Sequence, residues 1–388
     1  LLVIVPDRLS QIIEKGECQP NYYNPGELFD DVHLLLMNDD KPSLAALQLM
    51  VGRAELHLHN YPDDLNLVAR HHGLTTPFRL RKWARGGVEI ARAIKPDLIR
   101  CHGIDWNAYL ASRINAELGI PYAVSVHINP DENPVRRFKG ADLSAEQRRQ
   151  NAFYEYLEHA AVKRARLIMP VYQPILPYLE RKGARQVEVC YNILDGGSLS
   201  EKTDYTLADP PQLLYVGRVF GEKNPANIIH AVAGMPGMRY TIVGDGPLRP
   251  SLEELVRDLD VQDRITFRPA IGNAELCRML PTFDLFVIHT EHFEISKSVL
   301  EALLTGLPII MNQRKGAPVP ELQGGIVRLV PDTTEAYAAA IQELVRDHDA
   351  RKALGRKAYR EASTCYAPAV TERKVVRIYE DILEAHHG

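Results

Sequence analysis

Residues 285–310 read LFVIHTEHFEISKSVLEALLTGLPII and contain one complete repeating unit of a parallel sheet. The apolar run 285–289 predicts a buried strand, and the apolar spacing of 298–305 predicts a helix. The helix is expected to end at Gly306, because glycine favours the position that follows a helix. A second apolar run, 307–311, predicts the next strand. A strand, a helix and a strand in this order are typical of a parallel α/β sheet.

The same alternation runs along the whole chain. Further strands are predicted at 1–6, 32–37, 56–59, 97–101, 121–127, 213–217, 240–244 and 265–267. Further helices are predicted at 80–94, 108–118, 225–232, 252–259, 336–346, 351–362 and 369–385. Residues 196–211 are polar and rich in glycine, serine and proline, which is typical of a linker. The sequence therefore predicts two doubly wound α/β domains, 1–195 and 212–368, joined by the linker 196–211.

Composition excludes several classes of protein. The 388 residues are 45% hydrophobic and 25% charged, which excludes a disordered chain. The net charge of −4 argues against a dedicated nucleic-acid binder. The five cysteines are scattered and form no CxxC pair, so we expect free thiols in a reducing compartment. No apolar run reaches the roughly 18 residues that a membrane span requires, and we expect a cytoplasmic protein.

The loops that follow the strands of the second half carry the candidate binding residues. Ligands of open parallel sheets bind beyond the carboxyl ends of the strands. Arg218 and Lys223 follow one strand and suit a diphosphate, although a solvated loop with a surface ion pair explains them too. Gly244 and Gly246 allow the backbone to approach a ligand closely, or simply form a turn.

The helix inside the quoted segment adds an anion site. Its N-terminus lies near Ser296 and Lys297, and the amide groups of a helix N-terminus favour an anion. Glu301, about one turn later, can accept hydrogen bonds from a ribose diol. The alternative for Glu301 is compensation of the helix dipole.

These motifs, taken in order, resemble the retaining glycosyltransferases of family 4, also described as glycosyl transferases group 1. The matching segments are YNILD at 191–195, LYVGRVFGEK at 214–223, IVGDGPL at 242–248, the whole of 286–308, and PELQGG at 320–325. The resemblance implies the GT-B fold, in which two Rossmann-like domains of parallel sheet face a cleft. It also implies that the final helix, 369–388, packs back on the N-terminal domain.

The resemblance implies roles for the donor-side residues. Arg218 and Lys223 correspond to the pair that holds the donor diphosphate, and they would stabilise its charge during catalysis. Glu301 corresponds to the glutamate that binds the ribose, and the backbone at Ser296 and Lys297 to the loop around the phosphates. Gly244 and Gly246 belong to the same donor site.

One position departs from the family pattern. The family has two glutamates separated by seven residues, and counting back from Glu301 leads to Phe293. Glu294 is one residue later. We expect Glu294 to take over the catalytic role near the donor sugar through a shifted loop; the alternative is that the role is absent.

On the N-terminal domain the resemblance indicates an acceptor side. His127 ends a predicted strand, like the family histidine that hydrogen-bonds the sugar, and we assign it a catalytic role; a structural loop histidine is the alternative. His102 ends the preceding strand and is a second candidate. The loop after the first strand is expected at 14–17 (EKGE), with Gly16 as the residue of close approach.

Two basic groups in the first half are compatible with an anionic membrane surface or an acidic glycan. One lies around Trp83 and the other follows the strand that ends at His127: Arg79, Arg81, Lys82 and Arg85, and Arg136, Arg137, Lys139, Arg148 and Arg149. A solvated helix face is the simpler interpretation. The pairs His57/His59 and His71/His72 lack the ligand spacing of a metal site and are interpreted as structural or exposed.

The predicted function is transfer of a sugar, with retention of configuration, from a nucleotide-diphosphate sugar to a glycan, a lipid-linked acceptor or a small molecule. This would place the chain in polysaccharide or glycolipid biosynthesis, in the cytoplasm or at the inner face of a membrane. The resemblance implies no metal or other cofactor, and no nucleic-acid partner is expected. Two alternatives stay open: a nucleotide-sugar-binding partner subunit without transfer activity, and a GT-B nucleotide-sugar epimerase.

Overall fold

The structure is a computed structural model that describes residues 1–64, 75–133, 136–292 and 295–387. The chain divides into two compact units. The first unit contains Leu1–Ile193 and Thr371–Gly388, and the second contains Leu194–Val370. No helix in the described ranges is long and apolar enough to cross a membrane. All five cysteines are free thiols.

The first unit is built on a six-stranded parallel sheet with the order β3-β2-β1-β4-β5-β6. Its strands are β1 (Leu2–Val5), β2 (Asp31–Leu36), β3 (Glu55–Asn60), β4 (Ile99–His102), β5 (Tyr122–Val126) and β6 (Leu167–Pro170). Its described helices are α1 (Leu9–Glu14), α2 (Leu44–Leu47), α3 (Thr76–Ile94), α4 (Trp106–Leu118), α5 (Ala145–Arg164) and α6 (Leu176–Arg181).

The second unit repeats this plan with the strand order β12-β11-β10-β7-β8-β9. Its strands are β7 (Gln212–Val216), β8 (Arg239–Val243), β9 (Ile265–Arg268), β10 (Leu285–Ile288), β11 (Ile309–Asn312) and β12 (Arg328–Val330). Its helices are α7 (Ala226–Ala233), α8 (Arg249–Asp258), α9 (Asn273–Met279), α10 (Lys297–Thr305), α11 (Thr334–Arg346) and α12 (His348–Cys365). Two parallel sheets covered by helices confirm the predicted fold class.

Short 3₁₀ turns complete the connections: Pro25–Glu27, Gln48–Met50, Pro130–Glu132, Gln173–Ile175, Leu280–Thr282 and Pro320–Leu322. The last helix, α13 (Pro368–His387), belongs to the first unit from Thr371 onwards. Its apolar face is buried in the core of that unit, where Val375, Ile378, Tyr379 and Ile382 join the strand residues Val3 and Leu34.

Residues 196–211, predicted to form a linker, are packed on the second unit. The backbone amide of Lys202 donates to the carbonyl of Thr305 at 2.8 Å, and the Tyr205 hydroxyl donates to the carbonyl of Gly306 at 3.0 Å. Arg351 Nη2 in turn donates to the carbonyl of Tyr205 at 2.7 Å. This polar segment is therefore ordered by hydrogen bonds from its backbone and side chains, which composition alone does not reveal.

Candidate functional site

The residues predicted to bind the donor lie at the carboxyl ends of the central strands in the second unit. β7 lies between β10 and β8, and all three strands run parallel. The loop after β7 carries Arg218 and Lys223, and the loop after β8 carries Gly244 and Gly246. The segment after β10 leads into α10. Strand order therefore brings together three segments that are far apart in the sequence.

A tight turn in the loop after β7 holds the two cations around one aromatic ring. The amide of Lys223 donates to the carbonyl of Phe220 at 2.7 Å. Arg218 Cζ lies 5.9 Å, and Lys223 Nζ 6.0 Å, from the centroid of the Phe220 ring. Arg218 is exposed, whereas Lys223 is buried. Cations over an aromatic face are attracted to it, so the turn positions both charges beside the carboxyl end of β7.

Gly244 and Gly246, after β8, must be glycines because they pack against the backbone of the loop after β7. Gly244 has a φ of 137°, and a Cβ there would lie 2.2 Å from the carbonyl oxygen of Gly217. A Cβ on Gly246 would lie 2.1 Å from the carbonyl oxygen of Val219. The Val219 amide donates to the carbonyl of Asp245 at 3.0 Å. The close approach that these glycines permit is thus between two protein loops, and it fixes the backbone on either side of Arg218.

The N-terminus of α10 is joined directly to β7. Ser296 is the N-cap residue, and its Oγ lies 3.2 Å from Ser298 Oγ. Ser298 Oγ donates to the carbonyl of Val216, the last residue of β7, at 3.0 Å. The positive end of the α10 dipole therefore lies beside the loop that carries the two cations, and this arrangement suits an anion.

Glu301 is buried within α10. Its Oε1 accepts a hydrogen bond from Asn273 Nδ2 at 2.6 Å and lies 3.8 Å from Lys297 Nζ. Asn273 was not predicted as a site residue, because a lone asparagine at the start of a short helix carries no signal of its own. Burial of the Cys277 thiol and, to a lesser extent, the charge of Glu301 raise the pKa of Cys277 to about 12.

The segment after β10 is anchored by contacts of Glu291 that the sequence did not predict. One Glu291 oxygen accepts from Asn312 Nδ2 at 2.8 Å, and the other accepts from the Lys315 amide at 2.9 Å. The Glu291 amide donates to the carbonyl of Glu222 at 2.7 Å, which ties this segment to the loop of Lys223. Because both carboxylate oxygens are engaged, Glu291 orders the loop. Its partners follow 21 and 24 residues later, beyond any local pattern.

His289 ties the same two loops together from β10. Its Nδ1 accepts from the Asn224 amide at 3.2 Å, so the proton of the neutral ring lies on Nε2, 3.2 Å from Asp332 Oδ2. Burial lowers its pKa, against the opposing effect of Asp332. His289 is therefore a neutral positioning residue, adjacent to the turn that holds Lys223.

Phe293 and Glu294 lie outside the described residues. The expectation that Glu294 takes the catalytic role near the donor sugar therefore stays a prediction.

In the first unit, the two predicted histidines are neighbours. His102 ends β4 and His127 follows β5, and their rings stack with centroids 5.5 Å apart at 14°. They line a cavity of about 20 Å³ together with Tyr22 and Ser125. Burial, followed by the charge of Arg100, holds the pKa of His102 well below its ordinary value, so its ring is neutral.

Arg100 is a buried cation that lines the same cavity as His102 and His127. It was not predicted as a site residue from the sequence. Its Nη1 lies 3.2 Å from the hydroxyl of Tyr379, and its Nη2 donates to Ser125 Oγ. Tyr379 lies on α13, 279 residues later, so only the tertiary structure reveals this contact.

Gly16 lies at the end of α1. Its φ is 64°, its amide donates to the carbonyl of Ile13, and a Cβ there would contact nothing within 4 Å. The prediction that its loop directly follows the first strand is wrong, because Leu9–Glu14 form a helix between β1 and Gly16. Gly16 follows the C-terminus of this helix, where a left-handed backbone is common, and this explains its positive φ. The acceptor-side role of Gly16 stays a prediction.

The two basic groups of the first unit differ in their surroundings. The four cations around Trp83 are exposed on α3, next to Phe78, whose side chain is 70% exposed. In the second group, Arg136 pairs with Asp105, and Arg137 Nη2 lies 2.5 Å from the fully buried Glu158. Arg136 and Arg137 are therefore neutralised within the protein, whereas Arg148 and Arg149 on α5 are exposed, like the four cations on α3.

Comparisons with known proteins agree with these observations. The model of the family "Glycosyl transferases group 1" matches residues 201–361, and that of the "Glycosyl transferase 4-like domain" matches residues 27–192. An alpha-D-kanosaminyltransferase of Streptomyces kanamyceticus is 24% identical over 294 residues, which cover 71% of this chain and 73% of that one.

Two solved structures share the fold. Sucrose-phosphate synthase from Thermosynechococcus elongatus superposes with a TM-score of 0.69 at 16% identity and covers 99% of both chains. Anabaena HepE, solved in complex with UDP-glucose, gives a TM-score of 0.66 at 15% identity, over 98% of this chain and 99% of that one. With both units matched in order, the chain belongs to the GT-B glycosyltransferases of the family 4 type.

Proposed function

We propose that this chain is a retaining glycosyltransferase that takes its sugar from a nucleotide-diphosphate sugar bound to the second unit. The observation that carries the proposal is the grouping of Arg218, Lys223 and the N-terminus of α10 at the ends of two neighbouring strands. Two cations and a helix dipole at one place match the charge of a diphosphate.

The chemistry follows from this charge distribution. When the sugar leaves, negative charge develops on the diphosphate, and groups already oriented toward it stabilise the transition state. Arg218 and Lys223 would supply that stabilisation without a metal. Glu301 would bind the ribose, and Glu294 would contact the sugar. His127 would have the catalytic role that the resemblance implies. The new bond would keep the α configuration of the donor.

The names of related proteins support a nucleotide sugar as the donor. HepE was solved with UDP-glucose, and the Streptomyces relative is named for transfer of an α-kanosaminyl group. We propose a glycan, a lipid-linked glycan or a small molecule as the acceptor, bound on the first unit.

We also propose that α3 contacts an anionic membrane surface when the acceptor is lipid-linked. Its exposed cations and the exposed Phe78 combine charge attraction with an apolar side chain. The charge reversal Arg81→Glu with Lys82→Glu should abolish flotation with anionic vesicles, whereas Arg148→Glu with Arg149→Glu on α5 should retain it. Equal flotation of both double variants would contradict the proposal.

A thermal-shift screen with UDP, GDP, ADP and dTDP tests the donor site. A nucleotide present at a hundredfold excess over its Kd adds about 2.7 kcal/mol of stability, and the melting temperature should rise by several degrees. We expect one nucleotide to give this shift and its sugar conjugate to be consumed. Arg218→Ala and Lys223→Ala should each lower turnover about 10²–10³-fold, as loss of one stabilising group does.

Arg239→Ala is the matched control, because Arg239 is exposed at the start of β8, at the opposite end of the sheet. Wild-type turnover in both site variants would contradict the assignment. A shift without any turnover would favour the binding subunit, and an altered free sugar nucleotide would favour the epimerase. An NMR spectrum of the product reports its anomeric configuration, and a β-linked product from an α-linked donor would contradict retention.

A further inference from the structure

The edge strand β3 and its neighbour β2 in the first unit carry a group of metal-ligating side chains that the proposed transfer does not use. In the register of β2 and β3, Asp31 pairs with Glu55 and His33 pairs with His57. His59 lies two residues beyond His57. Since side chains two residues apart on a strand share a face, all five lie on one face of this strand pair.

Three of these groups converge. His57 Nε2 lies 3.4 Å from Glu55 Oε1 and 3.7 Å from Asp31 Oδ1. One ligand atom from each of the three residues lies within 4.8 Å of the others. Bonds of 2.0–2.1 Å in a tetrahedral zinc site separate neighbouring ligand atoms by about 3.3 Å. The observed separations are therefore close to those of a coordination sphere. Because the two carboxylates are exposed, small side-chain rotations can bring their oxygens to the remaining distance.

His33 and His59 hold the ring of His57 in position. The His33 ring stacks on the His57 ring with centroids 4.4 Å apart at 14°. His33 Nδ1 lies 3.1 Å from His59 Nε2, which holds the stacked ring in place. A ligand imidazole held by such a neighbour is oriented in advance.

We propose that His57, Asp31 and Glu55 form a binding site for a divalent transition metal of the zinc type. One imidazole nitrogen and two carboxylate oxygens suit such an ion, and water fills the open positions. Asp31 and Glu55 are the first residues of β2 and β3, whereas His102 is the last residue of β4. The site therefore lies at the opposite end of the sheet from the acceptor-side residues. The bound ion would link the edge strand β3 to β2 and would take no part in sugar transfer.

Titration with Zn²⁺ against a chromogenic chelator tests the site. The full chain, first stripped with EDTA, should bind one equivalent, and His57→Ala, Asp31→Asn and Glu55→Gln should each weaken binding at least tenfold. His159→Ala is the control, because His159 is exposed on α5. Far-UV circular dichroism verifies that each variant is folded. No stoichiometric binding, or equal binding by His57→Ala and His159→Ala, would overturn the proposal.

Discussion

Gly246 shows how one residue shapes the donor side. Its lack of a side chain allows the backbone after β8 to pass the carbonyl of Val219, which precedes the turn of Phe220 and Lys223. The sequence predicted a glycine needed for close approach, and the structure identifies the approaching partner as the loop of Arg218. Gly244 and Gly246 therefore help to position Arg218 and Lys223 through the backbone of that loop.

Gly246→Ala should destabilise the second unit by at least about 2 kcal/mol, because the added Cβ lies too close to the Val219 carbonyl and the backbone must move. Hydrogen exchange of the β7 and β8 peptides should increase, and donor affinity should fall. Gly221→Ala is the control in the same loop, because a Cβ there contacts nothing within 4 Å. Unchanged exchange in Gly246→Ala would show that the loops adjust without strain.

Glu301→Gln should weaken nucleotide binding about tenfold, because a neutral amide accepts a weaker hydrogen bond than a carboxylate does. Titration calorimetry with the nucleotide from the thermal-shift screen measures this change. Glu254→Gln on the exposed face of α8 is the control. Wild-type affinity combined with a lower melting temperature would mean that Glu301 serves only the helix and its contact with Asn273.

At the scale of elements, the periodic helices and most apolar strands were predicted well, but the two edge strands β6 and β12 were not. β6 (Leu167–Pro170) and β12 (Arg328–Val330) have four and three residues, too few to establish an alternating pattern. α5 (Ala145–Arg164) was also missed, because its composition is strongly polar. Its start is nevertheless marked by a capping box of Ser144 and Gln147, which was a usable local signal.

The last helix should stabilise the first unit through its buried face. Ile378→Ala should lower the free energy of unfolding of that unit by about 2–5 kcal/mol, since it leaves a cavity in the core. Both tryptophans, Trp83 and Trp106, lie in the first unit, so their fluorescence during urea unfolding reports on it. Glu380→Ala, at an exposed position of the same helix, should change the value by less than about 0.5 kcal/mol. Equal effects of the two substitutions would contradict the packing.

At the scale of the whole molecule, the half-buried His33 and the buried His102, both neutral in the folded chain, should make the chain less stable in acid. The pKa of His33 is about 4 and that of His102 is also lowered, in both cases chiefly by burial. The unfolded chain therefore binds more protons than the folded chain between pH 6.5 and 4, and stability falls as the pH falls through this range. Each such proton contributes at most about 1.4 kcal/mol per pH unit.

Urea unfolding followed by tryptophan fluorescence in EDTA should show this loss between pH 6.5 and 4.5. His33→Gln should have a shallower pH dependence than the wild type, whereas His159→Gln should match the wild type. A flat profile in the wild type would contradict the assignment of neutral imidazoles in the folded chain.

The sequence by itself determined the two parallel α/β units, the family, and the positions of Arg218, Lys223, Gly244 and Gly246 at strand ends. Each of these follows from local information, since strand and helix periodicity and short motifs are written in consecutive residues. Only the tertiary structure decided the strand order, the capture of Glu291 by Asn312, the contact of Arg100 with Tyr379, and the grouping of His57 with Asp31. These depend on residues that lie from about twenty to nearly three hundred positions apart, and no local pattern encodes which strand lies beside which.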